Sequence, residues 1–265
     1  MCGIFATISK AVSNETINNN IKTNFLKLIK RGPDNSKFEI VNNIFLGFHR
    51  LSINDITDAG NQPMQYNDYY LICNGEIFNY KNIIQRYNFN TKSNSDCEVI
   101  LHLYNYLVNK CNIKNKSQII NTICNELDAE FAFILYDKKL ETTYIARDPY
   151  GVRPLFIGTM PNNDNFIFSS ELKGLNNLVK NAKQFNPGSY MTICNSNDID
   201  NNLIYNTGKY HNIILYKGLK NNNKNILNCL NEIFREAVYK RMMSDKEICS
   251  LLSGGLDSSL VASIV

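Results

Sequence analysis

Residues 131–146, FAFILYDKKLETTYIA, decide the fold class. Two apolar runs, 131–136 and 142–146, flank the polar turn Asp137-Lys138-Lys139, and this pattern is typical of a β-hairpin. Residues 96–108 have apolar side chains at helical spacing. On both sides of this hairpin, similar short apolar runs predict strands at residues 3–8, 44–49, 69–73, 166–169 and 190–194. Because hairpin strands occur with separate helices and not as a βαβ series, the sequence predicts an α+β fold over residues 1–200.

The composition changes near residue 200. Residues 201–225 are rich in Asn, Asp, Lys and Gly, which predicts a linker. After it come a helical pattern at 226–242, an apolar strand at 248–252, a loop at 253–259 and an apolar helix at 260–265. A strand, a glycine-rich loop and a helix are typical of the beginning of a doubly wound α/β nucleotide-binding domain. We expect residues 226–265 to be an incomplete domain, because one strand and two helices cannot complete a parallel sheet.

Composition excludes several classes of protein. Hydrophobic residues make up 44% of the chain and charged residues 20%, which argues against a disordered chain. No apolar run approaches the ~20 residues of a membrane span, and the N-terminus lacks a basic region followed by an apolar one. The net charge of +4 is dispersed, so no nucleic-acid surface is expected. Eight cysteines without a C-x-x-C pair argue against a zinc site, and we expect a cytoplasmic protein with free thiols.

Cys2 is a candidate nucleophile. If Met1 is removed, Cys2 carries a thiol and a free α-amino group, and the pKa of an α-amino group is about 7.7–8.0. Such an amine can act as the base for its own side chain without a histidine. The alternative is a cysteine that merely follows Met1.

Seven ordered blocks give Cys2 a context. They are Cys2-Gly3-Ile4, Arg31-Gly32-Pro33-Asp34, His49-Arg50-Leu51-Ser52-Ile53, Asn74-Gly75-Glu76-Ile77-Phe78-Asn79, Ser95-Asp96-Cys97-Glu98, Arg147-Asp148-Pro149-Tyr150-Gly151-Val152-Arg153-Pro154-Leu155 and Ser170-Glu171-Leu172-Lys173. Together they resemble the N-terminal-nucleophile glutamine amidotransferases. With the loop Ser253-Gly254-Gly255-Leu256-Asp257-Ser258-Ser259, the resemblance narrows to the glutamine-hydrolysing asparagine synthetases. It implies an Ntn-hydrolase-type αββα sandwich at 1–200, followed by the start of an ATP-binding domain.

The resemblance also implies roles in glutamine hydrolysis. Cys2 would attack the side-chain amide, and the Asn74 NH2 and Gly75 N–H would bind the oxyanion. Arg50 would bind the α-carboxylate of glutamine and Asp96 its α-ammonium. The remaining pocket residues by resemblance are Leu51, Ser52, Ile53, Asn54 and Glu76. The residue patterns alone also allow an ordinary Asn-Gly hairpin, a surface arginine and an Asp96 that caps the helix at 96–108.

The loop at 253–259 resembles the pyrophosphate loop of ATP pyrophosphatases. Backbone N–H groups and hydroxyls at a helix N-terminus suit a phosphate. The loop lacks the lysine of a Walker A motif, which favours cleavage between the α- and β-phosphates. The predicted ATP-binding residues are Leu251, Leu252, Ser253, Gly254, Gly255, Asp257, Ser258 and Ser259, and Asp257 is the candidate Mg²⁺ ligand.

The implied reaction transfers ammonia from glutamine to ATP-activated aspartate, giving asparagine, glutamate, AMP and pyrophosphate. The expected small-molecule partners are glutamine, aspartate and ATP, with Mg²⁺; a homodimer is left open. One rival is an amidotransferase that makes an amino sugar or phosphoribosylamine, although those acceptor domains use no such loop. The other is a chain that ends at Val265 and only hydrolyses or binds glutamine.

Overall fold

Two six-stranded antiparallel sheets form the framework of the computed structural model, which describes residues 1–9, 15–160, 165–195, 203–212 and 223–265. The strands within these ranges are β1 (Gly3–Ile8), β2 (Asn35–Val41), β3 (Ile44–Arg50), β4 (Met64–Tyr66), β5 (Tyr69–Ile77), β6 (Ala129–Asp137), β7 (Thr142–Arg147), β8 (Phe156–Thr159), β9 (Phe166–Ser169), β10 (Asn181–Gln184), β11 (Ser189–Asn195) and β12 (Leu203–Lys209). The α-helices are α1 (Glu15–Leu26), α2 (Tyr80–Tyr87), α3 (Val99–Asn105), α4 (Lys116–Glu126), α5 (Asn223–Lys240) and α6 (Leu256–Ala262).

The strand order of the first sheet is β10-β8-β9-β1-β3-β2, and that of the second is β12-β11-β7-β6-β5-β4. All six residues of β1 are buried, so the first sheet is covered on both faces at this strand. Ile4, Ala6 and Ile8 point into the core between the sheets, whereas Phe5 points to the outer face. This follows from the two-residue period of a strand.

Three apolar clusters define four layers. One lies between the sheets. A second packs α1, through Ile21 and Phe25, on the outer face of the first sheet. A third packs α2, α3 and α4 on the outer face of the second sheet. The αββα sandwich that the sequence predicts is therefore confirmed.

The predicted turn at Asn74-Gly75-Glu76 is wrong. β5 continues to Ile77, and the ladder with β6 pairs Asn74 with Ala132 and Gly75 with Phe131. An Asn-Gly pair favours a type I′ turn only where both residues can take a positive φ, and neither does here. The long neighbouring strand β6 therefore outweighs the local turn preference.

Three further expectations differ from the structure. β12 lies inside the stretch predicted as a linker, and it pairs with β11 from Ser189↔Lys209 to Asn195↔Leu203. Residues 248–252 are not a strand, since no described strand pairs with them, and Leu251 is 92% exposed. α6 begins at Leu256, inside the predicted loop, and not at Leu260.

The end of α5 lies against the first domain. Lys240 Nζ contacts Asp128 Oδ2 at 2.6 Å, and Arg241 Nη2 contacts Glu130 Oε1 at 2.8 Å. Nearer the N-terminus of α5, Leu227 and Ile233 are more than half exposed. In the described parts of the chain, no helix has both the length and the apolar character needed to cross a membrane.

Candidate active site

Cys2 lies at the start of β1, at one end of the sandwich. Its Sγ is 3.4 Å from the backbone N of Leu51 and 3.5 Å from the Leu51 carbonyl oxygen. Arg31 Nε donates to the Cys2 carbonyl oxygen at 2.8 Å. The thiol is thus held between the ends of β1 and β3, where a small pocket begins.

The pocket has a volume of about 40 Å³. Met1 is among its lining residues, so removal of Met1 would enlarge the pocket. The lining residues are Met1, Cys2, Phe48, Arg50, Leu51, Ile53, Asn54, Gly60, Gln62, Cys73, Asn74, Gly75, Glu76, Ser95, Asp96, Cys97 and Arg153. The structure therefore brings together every predicted glutamine-site residue except Ser52. The Ser52 backbone N donates to Asp34 Oδ2 at 2.7 Å, outside the lining.

Asn74 carries an unused donor into this pocket. Its side-chain nitrogen is buried and has no hydrogen-bond partner among the described residues. Buried polar groups are nearly always paired, and each exception needs an explanation. An oxygen that becomes negatively charged only while a substrate reacts would be a partner for this nitrogen, and it would explain why the free protein has none.

The β5 ladder places a second donor beside it. Phe78 N donates to Asp128 O, so the alternation of an antiparallel ladder turns the N–H groups of residues 73, 75 and 77 away from β6. On that edge, Cys73 N donates to Gln62 Oε1 at 2.6 Å and Ile77 N donates to Asp96 Oδ2 at 2.6 Å. The Gly75 N–H lies between these two and faces the pocket. A Cβ at Gly75 would lie 2.8 Å from Glu130 O, which explains the absence of a side chain.

Burial shifts the titratable groups at the start of β1. It lowers the pKa of the Met1 α-amino group, and Arg31 and Arg153 lower it further, whereas Cys2 and Glu76 raise it. Burial raises the pKa of the Cys2 thiol, although the Leu51 N–H and Arg153 favour the thiolate. With Met1 removed, the α-amine would belong to Cys2 itself, beside this thiol, and such a pair is what base-assisted nucleophilic attack requires.

Asp96 begins a short 3₁₀ helix, Asp96–Glu98, but its carboxylate reaches across to β5. Asp96 Oδ2 accepts the hydrogen bond from Ile77 N, and Asp96 Oδ1 accepts one from Asn54 Nδ2 at 3.4 Å. Burial and the nearby Glu76 carboxylate raise the pKa of Asp96 to about 6. The Asp96 carboxylate lies in the pocket wall, where a cationic group of a ligand can bind to it.

Arg50 is buried and its guanidinium is already engaged. Nη1 donates to Thr57 O at 2.6 Å and to Asn61 Oδ1 at 2.8 Å, and Nη2 donates to the carbonyl oxygens of Asn54 and Asp55. These contacts hold the loop at 54–61. Its predicted contact with the α-carboxylate of glutamine stays a prediction.

Sequence reasoning missed Arg153. Its Nη2 contacts Glu76 Oε1 at 3.0 Å and Glu130 Oε2 at 3.7 Å, and its Nε is buried without a partner among the described residues. Arg153 stands in one of the quoted blocks, but no spacing places it beside Cys2. Only the return of the chain from β7 toward β8 brings it there.

The predicted ATP-binding residues lie outside this pocket. The hydroxyls of Ser253 and Ser258 are 2.9 Å apart, Gly254 has a φ of +83°, and Asp257 is in the first turn of α6. Leu252 and Leu256 are 67% and 84% exposed. The hydroxyls and the helix start suit a phosphate, but the described residues build no wall for an adenine.

Comparison with known families agrees with this geometry. A glutamine amidotransferase domain model matches residues 1–211. The chain belongs to this family. An asparagine synthase model matches residues 230–265, which follow the amidotransferase domain.

Known proteins similar to this chain are named as glutamine-hydrolyzing asparagine synthetases. A probable glutamine-hydrolyzing asparagine synthetase of Acanthamoeba polyphaga mimivirus is 37% identical over 257 residues, which is 90% of this chain and 44% of the relative. The glutamine-hydrolyzing asparagine synthetase of Homo sapiens is 36% identical over 288 residues, 99% of this chain and 48% of the relative. The chain therefore spans about half the length of these relatives.

A solved structure supports the fold of the amidotransferase domain. The glutamine phosphoribosylpyrophosphate amidotransferase from B. subtilis superposes with a TM-score of 0.60 at 20% identity, over 80% of this chain and 50% of that one.

Proposed function

We propose that the amidotransferase domain hydrolyses glutamine, with Cys2 as nucleophile. The observation that carries the proposal is the buried, unpartnered Asn74 amide in the pocket that contains Cys2. With the Gly75 N–H on the same strand edge, it forms a pair of donors for a tetrahedral oxyanion. A preformed pair of this kind has no use in a pocket that only binds glutamine.

The steps follow from these groups. After removal of Met1, the α-amine of Cys2 takes the thiol proton and Sγ attacks the side-chain amide carbon of glutamine. The oxyanion is held by Asn74 and Gly75. The intermediate collapses as the amine returns the proton to the leaving nitrogen, which departs as ammonia and leaves a γ-glutamyl thioester. Water, deprotonated by the same amine, attacks the thioester and releases glutamate and the thiol.

We further propose that the whole protein is a glutamine-hydrolysing asparagine synthetase. In it, ammonia reacts with aspartate activated by ATP, giving asparagine, AMP and pyrophosphate. The support is the asparagine synthase match over residues 230–265 together with the hydroxyl-rich loop before α6. Leu251, Leu252, Ser253, Gly254, Gly255, Ser258 and Ser259 would contact the nucleotide, and Asp257 would hold Mg²⁺.

The exposure of residues 248–265 favours a second candidate, a glutaminase that makes no asparagine. Leu251 is 92% exposed and Leu256 is 84% exposed. Asparagine formation from ammonia, aspartate and Mg·ATP separates the two candidates, because free ammonia bypasses Cys2. Product formation by the whole protein supports the synthetase, and its absence beside intact glutaminase activity supports the second candidate.

The remaining partners and the location also belong to this proposal. All eight cysteines are free, and Cys111, Cys229 and Cys249 are exposed, which supports a reducing, cytoplasmic location. We propose the small molecules glutamine, aspartate and ATP as partners, and neither nucleic acid nor membrane; a homodimer stays open.

The glutaminase proposal is tested by Cys2→Ala, assayed for glutamate release and for glutamine binding by calorimetry. We expect no hydrolysis and retained binding. Cys194→Ala is the matched control, since Cys194 is also partly buried but lies outside the pocket. A protein that keeps Met1 behind an N-terminal tag should be inactive with its thiol intact. Normal hydrolysis by the tagged protein would exclude the α-amine as base.

A further inference from the structure

The segment that follows α5 forms hydrogen bonds with residues 53–55, which contribute to the wall of the glutamine pocket. The backbone N of Asp245 donates to Ile53 O at 2.9 Å, and Asp245 Oδ2 accepts from Asp55 N at 2.7 Å. These two bonds hold the stretch 53–55 at both ends. Asp245 belongs to the region matched by the asparagine synthase model, whereas residues 53–55 belong to the amidotransferase domain.

The same stretch is fixed from its other side by amidotransferase residues. Arg50 Nη2 donates to the carbonyl oxygens of Asn54 and Asp55. The Asp55 carboxylate, on a residue only 2% exposed, accepts from Asn94 N at 2.8 Å and Thr57 N at 3.0 Å. Among the described residues, Asp245 is the one outside the amidotransferase domain that forms hydrogen bonds with 53–55.

Stretch 53–55 forms part of the pocket wall. Ile53 and Asn54 line the pocket, and Asn54 Nδ2 lies 3.4 Å from Asp96 Oδ1. The backbone position of this stretch therefore determines where these two pocket-lining side chains lie. Because Asp245 is bonded to both ends of the stretch, the region after α5 can set that position.

We infer that Asp245 is a positioning residue for glutamine hydrolysis: it holds residues 53–55 in place in the pocket wall and so couples the glutamine pocket to the asparagine synthase region. The inference rests on the proposed glutaminase function. Asp245 touches no reacting atom, so its loss weakens glutamine binding more than it slows the chemical step.

The nearby ion pair between Lys240 and Asp128 does not account for the position of residues 53–55. Lys240–Asp128 joins two side chains that are each 48% exposed, and such exposed pairs contribute little because water screens them. That contact lies away from 53–55. Lys240→Met is therefore the matched control, since it weakens the attachment of α5 without touching the loop.

The test compares Asp245→Ala, Asp245→Asn and Lys240→Met in the full chain. For Asp245→Ala we expect the KM for glutamine to rise about tenfold, the scale of one lost hydrogen bond, with kcat within about twofold. Asp245→Asn keeps an oxygen acceptor for the Asp55 N–H and should restore most of the KM. Lys240→Met should leave both constants within about twofold of the wild type.

Hydrogen exchange supplies a readout that does not depend on activity. In Asp245→Ala the amides of residues 53–57 should exchange about tenfold faster, whereas those of β6 should not change. An unchanged KM with unchanged exchange overturns the inference, as does an equal effect of Lys240→Met. If the wild type releases no glutamate, the proposed function falls, and the exchange comparison still decides whether Asp245 holds the loop. If Asp245→Ala does not fold, normal exchange in a folded Asp245→Lys also overturns it.

Discussion

Asn74→Ala separates catalysis from stability. Removal of one oxyanion donor typically lowers kcat by ~10²–10³, which corresponds to about 2.7–4 kcal/mol. The effect on folding should be small. An unpaired buried amide destabilises a protein by about 1–3 kcal/mol, and its removal offsets the lost packing of the side chain. The amide nitrogen has no described partner, so no hydrogen bond is broken in the free protein. We expect the free energy of unfolding to stay within about 1 kcal/mol of the wild type.

Asn79→Ala is the matched control, because it removes a paired amide outside the pocket. Asn79 Nδ2 donates to Glu126 O at 2.8 Å, and its Oδ1 accepts from Asp128 N at 3.1 Å. This variant should lose about 1–3 kcal/mol of stability with kcat unchanged. Steady-state glutamate release and urea unfolding measure both quantities. If Asn74→Ala loses stability like Asn79→Ala, or keeps a kcat within about fivefold of the wild type, the oxyanion role of Asn74 is refuted.

Three other predictions concern pH and the pocket loop. Because burial raises the pKa of Asp96 to about 6, its charge is lost as the pH falls through 6; the KM for glutamine should rise there, and that for glutaramide, which has no α-ammonium, should not. Burial opposes ionisation of Glu98, but hydrogen bonds from His102, Ser93 and the Lys92 N–H lower its pKa to about 2. Its stabilising contribution is therefore complete above its ordinary pKa of 4.5 and is lost between 4.5 and 2, and Glu98→Gln should show a flatter acid-unfolding profile in that window. Arg50→Lys should lower the free energy of unfolding by about 2 kcal/mol or more, since a lysine cannot replace the four contacts to the loop; an unchanged unfolding midpoint with weaker glutamine binding would instead assign Arg50 to the substrate.

Local patterns predict the strands of the sandwich well. The apolar run Gly3–Ile8 is β1 residue for residue, and the turn at Asp137-Lys138-Lys139 joins β6 to β7. In these segments side-chain preference and tertiary packing favour the same conformation. At Asn74-Gly75 they disagree, and the nine-residue ladder between β5 and β6 prevails over the turn preference.

The membership of the pocket depends on long-range contacts that no local pattern contains. Cys2 and Leu51 are 49 positions apart, and Asp55 and Asp245 are 190 apart. Resemblance to a family supplied the first group of residues, because it carries the fold implicitly. It gave no role to Arg153 or Asp245, and it placed Asn54 in the pocket without a specific contact. In the structure Asn54 Nδ2 donates to the predicted ammonium-binding carboxylate of Asp96, so Asn54 bears on substrate recognition.

The unsatisfied donors are not scattered through the molecule. Asn74 Nδ2, Arg153 Nε and Arg31 Nη2 are buried without a described partner, and all three side chains surround Cys2: two line its pocket and the third binds its carbonyl oxygen. Each such donor costs the free protein about 1–3 kcal/mol of stability. Of the three, Asn74 is the one that we propose as an oxyanion donor. Its amide is already desolvated before the reaction, so donation to an oxyanion would require little reorganisation. A pocket built only for stability would have paired this amide, as the guanidinium of Arg50 is paired with carbonyl groups. The stability cost of the unpaired Asn74 amide and its proposed role therefore have one physical cause.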